Sequence, residues 1–407
     1  MTDTARGPRA RLAAGVVGCL TLLAIGWTGL LIPSLIRSIE SAFAQDDAGI
    51  GIVYLVYAVA YVAGSFGGGW LTERRGRRLV LAGAVLVHAA GIAGLGVAPT
   101  WAAFMVAALT AGAGAGCLDG GANGLVLDVF REGRGRAMNL LHMSFGVGAL
   151  SAPLVVGTLV EAGVPWQTVT IGTGAAMLLL AAAYLLVPAP SGRRSGATAP
   201  TEPSGPSPSE PAARRLLAGP LLLLGLAIAA YVASEVGVSN WLVRFLADAP
   251  LTTATLALSL YWAGLTVGRL VSSIVADRFD HLRFTIACTL GMAVLVAIAV
   301  MAPTQPLSIA AFAAAGVASG PVFPMIVAIG GERYPDRSAA VGGSLTGLAV
   351  IGATVYPPAM GFLSVSVGLT VAMLGNVILG LACALALRGF ATAVPQPGRL
   401  RRPPDRA

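Results

Sequence analysis

The chain has 407 residues, of which 56% are hydrophobic and only 11% are charged. A soluble protein of this size carries about 25% charged residues, so this chain has too few polar side chains to cover a surface in water. The composition excludes a soluble globular protein and indicates one whose apolar surface faces lipid. The net charge is +8, and all 26 basic residues are Arg.

Twelve apolar runs of about 20 residues are each long enough to cross a bilayer, and we number the predicted spans 1 to 12 in chain order. The first run is too long for a signal-peptide core and has no small-residue cleavage site after it, so we expect no cleavable signal peptide. The predicted spans lie near 11–36, 50–71, 79–98, 102–128, 137–161, 167–187, 216–246, 252–275, 284–302, 307–330, 339–363 and 369–391.

The connections between the spans alternate between Arg-rich loops and short neutral or acidic loops. All of the Arg residues except Arg37, Arg244 and Arg269 fall on one side of the predicted membrane. This positive-inside pattern accounts for the net charge without a nucleic-acid partner. It predicts a multi-pass protein of a bacterial inner (plasma) membrane with both termini in the cytoplasm.

The chain divides into two similar groups of six spans. Residues 188–215 contain repeated Pro, Ser and Gly and predict a flexible cytoplasmic linker between the groups. An offset of 204 residues aligns Tyr57 with Tyr261, Gly64 with Gly268, Glu73-Arg74 with Asp277-Arg278, Gly112 with Gly316, and Gly116 with Gly320. These matches favour a duplicated six-helix unit. We predict an N-terminal bundle over 1–187, the linker 188–215, a C-terminal bundle over 216–392 and a basic cytoplasmic tail over 393–407.

The connection between spans 2 and 3 carries a specific motif, Gly69-Trp-Leu-Thr-Glu73-Arg74-Arg-Gly76-Arg77-Arg78. It resembles the loop signature of the major facilitator superfamily, Gly-x-Leu-x-Asp-Arg-x-Gly-Arg-Arg/Lys, with Glu in place of Asp. The resemblance implies an all-α membrane protein with twelve transmembrane helices in two six-helix pseudo-repeated bundles. It also implies a transporter that works by alternating access.

The residue types of this loop suit a gate. Gly69 permits close helix approach and Gly76 permits a tight turn, while Glu73 and Asp128 can pair with the loop arginines. Such a charge cluster can form in one state of a transporter and break in the other; a basic loop that only sets topology is the alternative. The candidate gating residues are Gly69, Glu73, Arg74, Gly76, Arg77, Arg78, Asp128, Asp277 and Arg278.

A narrower resemblance concerns span 4, where Gly116-Cys-Leu-Asp119-Gly-Gly-Ala-Asn123 is similar to the Gly-Cys-Leu-Glu-x-Ala-Ala-Asn stretch of the fucose permease branch. In that branch the acid is a membrane-embedded group implicated in proton-coupled sugar uptake, and the match places it at Asp119. Similar stretches include His142 in span 5, Glu235 and Asn240 in span 7, and Arg269 in span 8. The branch has a second essential carboxylate in span 1, where this chain has no acid.

Asp119 and Glu235 are the two acids embedded in predicted spans of the chain's two halves. A charged carboxylate at such a depth costs about 2.5–3.5 kcal/mol or more, so each is expected to face a wet cavity, have a partner or carry a proton. Asn123 lies one turn beyond Asp119 on the same helix face and can bond a substrate hydroxyl. Spans 1, 4, 7 and 10 line the cavity in this superfamily, which would let the acids face each other. Acids held only by protein groups, or a cation at Glu235, are the alternatives.

Further candidates come from the other spans. Arg269 can pair with a buried acid or bind an anionic substrate. His142 can titrate near neutral pH, although a lone membrane His often serves only packing. Trp27 and Tyr261 can stack on a sugar ring, although most aromatic residues in a bilayer protein are packing or interfacial residues. Asn240, which follows Glu235 on its helix, completes the proposed substrate and proton-coupling set.

Together these features predict a secondary active transporter, and the preferred function is proton-coupled uptake of a sugar or polyhydroxylated solute. Proton-driven efflux of a drug or metabolite is one alternative, and a non-transporting membrane sensor is another. The sequence contains no Walker loop and no cluster of catalytic or metal-ligating residues, so we expect no enzyme activity, no metal and no cofactor. The expected partners are a small-molecule substrate, protons and the lipid bilayer, with the protein as a monomer.

Overall fold

The computed structural model of the chain describes residues 8–130, 134–186 and 219–393. This part of the chain is helical and contains no strand. The predicted linker 188–215 and residues 394–407 of the predicted tail lie outside the described residues, so the domain boundaries stay predictions. The helices are Pro8–Gly29, Leu31–Phe43, Asp47–Arg75, Arg77–Val97, Trp101–Val129, Arg134–Glu161, Trp166–Leu186, Pro220–Phe245, Leu251–Val275, His281–Met301, Gln305–Ser319, Val322–Arg333, Ser338–Val367 and Leu369–Ala393.

All twelve predicted spans are confirmed as helical segments long and apolar enough to cross a membrane. Span 1 continues to Phe43, beyond the predicted end at residue 36. The sequence-based boundary was wrong because Arg37 and Glu40 look like the polar end of an apolar run. In the structure both side chains have partners on span 7, so the helix continues past them. Span 1 is interrupted near Leu30 and span 10 near Pro321, so each consists of two helices.

The two halves of the molecule pack most of their spans in the same way, although span 7 packs closely on span 12 whereas span 1 touches span 6 much less. Span 2 packs on span 4, span 3 on spans 4 and 6, and span 1 on span 5, while span 8 packs on span 10, span 9 on spans 10 and 12, and span 7 on span 11. The aligned glycines make equivalent contacts. A Cβ atom at Gly112 would overlap the carbonyl oxygen of Tyr57, and one at Gly316 would overlap that of Tyr261. The internal repeat predicted from the 204-residue offset therefore appears in the helix contacts.

The halves are joined at one end of the molecule. We call the end that carries Phe43, Glu161, Phe245 and Val367 the neutral end, and the opposite end the arginine-rich end. Phe145 and Trp262 form an edge-on ring pair between the halves, with their centroids 5.7 Å apart. Among the described residues, every hydrogen bond, ion pair and ring contact that joins the halves lies at the level of this pair or nearer to the neutral end. The structure is therefore closed at its neutral end.

Two arginines make most of the polar contacts of this closure, and we call the group that they form the neutral-end latch. Arg37 donates hydrogen bonds to the carbonyl oxygens of Val243, Leu246 and Ala249 in the other half; the bond to Ala249 is 2.7 Å long. Arg244 reaches back and lies 2.8 Å from Asp47 Oδ1 and 3.0 Å from Glu40 Oε2. Ser364 also donates to Asp47. Each half thus supplies one arginine to the latch, listed in full as Arg37, Glu40, Asp47, Val243, Arg244, Leu246, Ala249 and Ser364.

Removing one latch arginine should loosen the closed end. The Arg244→Gln variant leaves Glu40 and Asp47 without their cation, which should cost the closed arrangement about 1–2 kcal/mol, a factor of about 5 to 30 in its population. Spin labels at Ala162 and Ser366, in a background with the natural cysteines replaced, would report this as a larger share of long distances. Arg11→Gln, at the exposed start of span 1, serves as the matched control. An unchanged distance distribution in Arg244→Gln would show that the latch does not hold this end closed.

Candidate transport site

The acid of the N-terminal half, Asp119, has both carboxylate oxygens engaged by donors. The Tyr61 hydroxyl of span 2 donates to Asp119 Oδ2 at 2.6 Å. The Asn123 amide nitrogen donates to Oδ1 at 3.0 Å and to the Asp119 carbonyl oxygen at 2.8 Å. Because both contacts come from donors, this arrangement suits a charged carboxylate. Asn123 Oδ1 is buried without a hydrogen-bond partner among the described residues.

The acid of the C-terminal half, Glu235, has a different environment. The Tyr231 hydroxyl contacts Glu235 Oε2 and also lies 2.8 Å from the carbonyl oxygen of Ser319. A hydroxyl has one proton to donate, and a carbonyl oxygen can only accept. If Glu235 is charged, the single Tyr231 proton has to serve both bonds. If Glu235 is protonated, it donates to Tyr231 while Tyr231 donates to Ser319, so each bond has its own proton. The buried Glu235 site therefore suits a neutral carboxyl group.

Arg269 lies beside Glu235 without a close partner. Its Nη2 is 4.0 Å from Glu235 Oε1, beyond hydrogen-bond distance, and its side chain is 37% exposed. Its Nε is buried and has no hydrogen-bond partner among the described residues. Tyr261 lies on the same span and is buried, with its hydroxyl 3.5 Å from the Glu235 carbonyl oxygen. The structure thus brings together three of the predicted site residues, Glu235, Tyr261 and Arg269.

His142 connects the two groups of residues. It lies on span 5 and is exposed, near enough to Asp119 of its own half and Arg269 of the other half for both charges to act on its imidazole, without a hydrogen bond to either among the described residues. Because an ionisable residue that interacts with both halves faces the space between them, His142 belongs to the same polar region. We call this region, formed by Tyr61, Asp119, Asn123, His142, Tyr231, Glu235, Tyr261 and Arg269, the central site.

Two predicted site residues lie elsewhere. Trp27 Nε1 donates to Thr173 Oγ1 at 3.2 Å, and its ring lines an apolar pocket of about 590 Å³ between spans 1 and 6. Asn240 is nearer the neutral end, where its carbonyl oxygen accepts a 3.0 Å hydrogen bond from Tyr54. Neither of these contacts joins the residue to the central site.

Sequence reasoning missed Tyr61 and Tyr231, which hold the two acids. A signal for Tyr231 was present, since it precedes Glu235 by four residues and so lies on the same helix face. Tyr61 lies on span 2, and no local pattern connects it with Asp119 on span 4. Among the described residues, no group of three or more His, Cys, Asp and Glu side chains is placed to hold a metal ion.

The candidate gating loop is tied within its own half. Gly76 has φ +82°, a backbone conformation that favours glycine. Arg77 Nη1 lies 2.5 Å from Asp128 Oδ2, which joins the start of span 3 to the end of span 4. The Arg74 guanidinium lies over the Trp70 ring at 3.9 Å. Arg78 and Gly69 are exposed, and the side chain of Glu73 lies outside the described residues.

The corresponding loop of the C-terminal half repeats this geometry with other residues. At the same 204-residue offset, His281 takes the place of Arg77 and Glu332 that of Asp128. His281 Nδ1 lies 2.7 Å from Glu332 Oε1, and its Nε2 lies 3.5 Å from Asp277 Oδ1. Arg278 is exposed beside them. The two loops therefore use the same pair of positions to connect neighbouring spans at the arginine-rich end.

The chain matches a known protein family over most of its length. The family model of the Major Facilitator Superfamily matches residues 16–249 and 223–406. The chain is 26% identical over 141 residues to the sodium-dependent glucose transporter 1 of Danio rerio, an alignment covering 35% of this chain and 24% of that protein. It is 23% identical over 373 residues to the cis,cis-muconate transport protein of Acinetobacter baylyi, covering 88% of this chain and 89% of that protein. The chain thus spans about a quarter of the first relative's length.

Solved structures support the same fold. A bacterial homologue of the human lysosomal transporter Spinster, in an inward-facing and unoccupied conformation, is similar with a TM-score of 0.77 and 16% identity, covering 96% of this chain and 100% of that chain. The Escherichia coli fucose:proton symporter is similar with a TM-score of 0.62 and 18% identity, covering 94% and 99%. The chain therefore belongs to the Major Facilitator Superfamily, with twelve helical segments able to span a membrane among the residues that the structure describes.

Proposed function

We propose that this protein is a transporter that takes up a sugar or a similar polyhydroxylated solute together with protons, by alternating access. The observation that carries the proposal is the pair of embedded carboxyl groups, Asp119 in one half and Glu235 in the other. Their hydrogen bonds suit opposite protonation states, charged for Asp119 and neutral for Glu235. A site built from two such groups has the means to take up and release a proton as its surroundings change.

The preference for a polyhydroxylated solute rests on chemistry and on relatives. Hydroxyl and amide groups, such as those of Tyr61 and Asn123, exchange hydrogen bonds with solute hydroxyls. One relative is named as a glucose transporter, and one structural neighbour as a fucose:proton symporter. Since the glucose transporter is named as sodium-dependent, the coupling ion needs its own measurement.

Alternating access requires that the neutral end open and the arginine-rich end close. The neutral-end latch holds its end closed here, with Arg37 and Arg244 crossing between the halves. The Arg77–Asp128 and His281–Glu332 pairs each stay within one half. They therefore fit a role in keeping each half rigid while the halves rock against each other.

The placement of the arginines supports an orientation in the membrane. With the arginine-rich end in the cytoplasm, both termini are cytoplasmic and the neutral end faces outward. The latch would then close the outer side, so the structure corresponds to a state that faces the cytoplasm. We place the protein in a bacterial inner membrane and expect it to act as a monomer, because each chain contains both halves of the central site.

Proteoliposomes with imposed proton or sodium gradients test this function. Labelled hexoses, their uronic acids, polyols and a cationic dye are offered in parallel. Accumulation of a sugar or polyol-type solute along an inward proton gradient supports the proposal. Movement of the dye against the proton flow, without uptake of any polyhydroxylated solute, favours the efflux alternative. Accumulation driven by a sodium gradient would show that sodium, and not the proton, is the coupling ion.

The Asp119→Asn variant should lose proton-driven accumulation while keeping solute exchange across the bilayer, because an amide cannot change its charge. The measurement compares gradient-driven uptake with counterflow, in which labelled and unlabelled solute exchange without a gradient. Asp248→Asn, in the exposed connection after span 7, is the matched control. Unchanged accumulation in Asp119→Asn would remove Asp119 from the coupling mechanism.

The Arg77→Gln and Asp128→Asn variants should slow transport more than they weaken binding, because their ion pair lies at the loop and not at the central site. The pair is partly exposed, with Asp128 at 59%, so a modest loss of turnover, about 3- to 10-fold, is expected. Initial rates at several solute concentrations separate the two effects. A rise in KM with an unchanged maximal rate of transport would contradict a role of this ion pair in the rocking of the halves.

A further inference from the structure

We propose that Arg269 binds a carboxylate of the transported solute, so that the substrate class is polyhydroxylated acids such as sugar acids. This inference rests on the proposed function of the central site as the place where the solute binds. It narrows the class of solute from any polyhydroxylated molecule to one that carries an acidic group.

The hydrogen-bonding capacity of Arg269 is unused. A guanidinium has five N–H donors in a planar fork that matches a carboxylate. The Nε of Arg269 is buried without a partner among the described residues, and Nη2 is 4.0 Å from the nearest carboxylate oxygen, Glu235 Oε1. The side chain is also 37% exposed, so a solute can reach it. An arginine that served only to hold the protein together would have these donors engaged.

The other two arginines outside the positive-inside pattern provide the contrast. Arg37 donates to carbonyl oxygens through Nε, Nη1 and Nη2, and Arg244 contacts two carboxylates at 2.8 and 3.0 Å. Both are therefore satisfied by the protein, and both lie in the neutral-end latch. Arg269 differs from them in its unengaged Nε and in its place at the central site.

The charge around Arg269 also favours an anion. A protonated Glu235, the form that its contacts with Tyr231 suit, is neutral and leaves the guanidinium charge without a counter-ion from span 7. Tyr231 and Tyr261, on spans 7 and 8, are neutral phenols. From the other half, the charged Asp119 forms no ion pair with Arg269 among the described residues, since its oxygens are engaged by Tyr61 and Asn123. His142 adds either no charge or a positive one.

This geometry links solute binding to a proton. When Glu235 is deprotonated, it can pair with Arg269. When a solute carboxylate takes the guanidinium, Glu235 loses its counter-ion and takes up a proton, which gives the form that its contacts with Tyr231 suit. One anion and one proton then enter together, and the charge of the site is unchanged. Competition between two carboxylates for one guanidinium is the physical basis of this coupling.

The test uses D-glucuronate and D-glucose, which differ only in a carboxylate or a hydroxymethyl group at carbon 6. Calorimetry with the purified full-length protein in detergent should show that the wild type binds glucuronate at least about 10-fold more tightly than glucose. Arg269→Gln should abolish this preference, and Arg269→Lys should retain part of it. Arg388→Gln, at the exposed end of span 12, should leave it unchanged.

Glu235→Gln separates solute binding from a structural ion pair. If Glu235 competes with the solute, this variant should bind glucuronate more tightly than the wild type, while Arg269→Gln binds it more weakly. A purely structural pair would make both variants bind more weakly, which would overturn the proposal. In addition, glucuronate affinity of the wild type should fall as pH rises, and Glu235→Gln should lose most of this dependence while His142→Gln keeps it. Loss of the dependence in His142→Gln instead would contradict the competition at Glu235.

The outcomes distinguish this inference from the proposed function. If the wild type binds glucose as tightly as glucuronate and accumulates it with protons, the carboxylate inference fails and the proposed function stands. If it binds neither compound, and proteoliposomes move only the cationic dye, both fail. Arg269→Gln protein that retains its thermal unfolding midpoint but loses only the glucuronate preference supports the inference.

Discussion

The structure depends on one constraint, which is that a charged or polar group inside a bilayer must find its partner within the protein, because lipid offers none. This chain places few such groups inside its spans, and most are joined in pairs. Arg37 and Arg244 are satisfied across the interface between the halves. Asp119 is satisfied within its half by Tyr61 and Asn123. The positions of these partners decide where the halves touch and where a polar site can exist.

The two halves share most of their packing and differ in their chemistry. Gly112 and Gly316 let equivalent spans cross closely against the backbone of Tyr57 and Tyr261. The embedded acids do not follow this symmetry, since the 204-residue offset places Phe323 opposite Asp119. A duplicated scaffold thus retains the glycines that fix helix crossings, while the polar groups of the central site are free to diverge. Such divergence suits the proposed function, in which the central site contacts two different ends of a solute.

Much of the fold could be predicted from the sequence, because lipid imposes a simple rule on length and hydrophobicity. The twelve spans and the superfamily follow from apolar runs and from the Gly69–Arg78 loop. The end of span 1 could not be predicted, because the partners of Arg37 and Glu40 lie about 200 residues away in the chain. The same limit applies to the site. The acids were visible as charges in apolar runs, whereas the roles of Tyr61 and Tyr231, and the position of Trp27 beside Thr173, depend on tertiary contacts.

The two arginines of the neutral-end latch, Arg37 and Arg244, differ in how their contacts respond to substitutions elsewhere in the chain. Arg37 binds carbonyl oxygens of residues 243–249, which every amino acid carries, so substitutions in that segment leave its acceptors in place. Arg244 needs the specific carboxylates of Glu40 and Asp47, and loss of either changes the contact. The Arg37 contacts therefore tolerate mutation, whereas single substitutions can change the Arg244 contacts. Variation among related chains at Glu40 or Asp47 would therefore change how readily the neutral end opens, while the Arg37 contacts keep the halves in register.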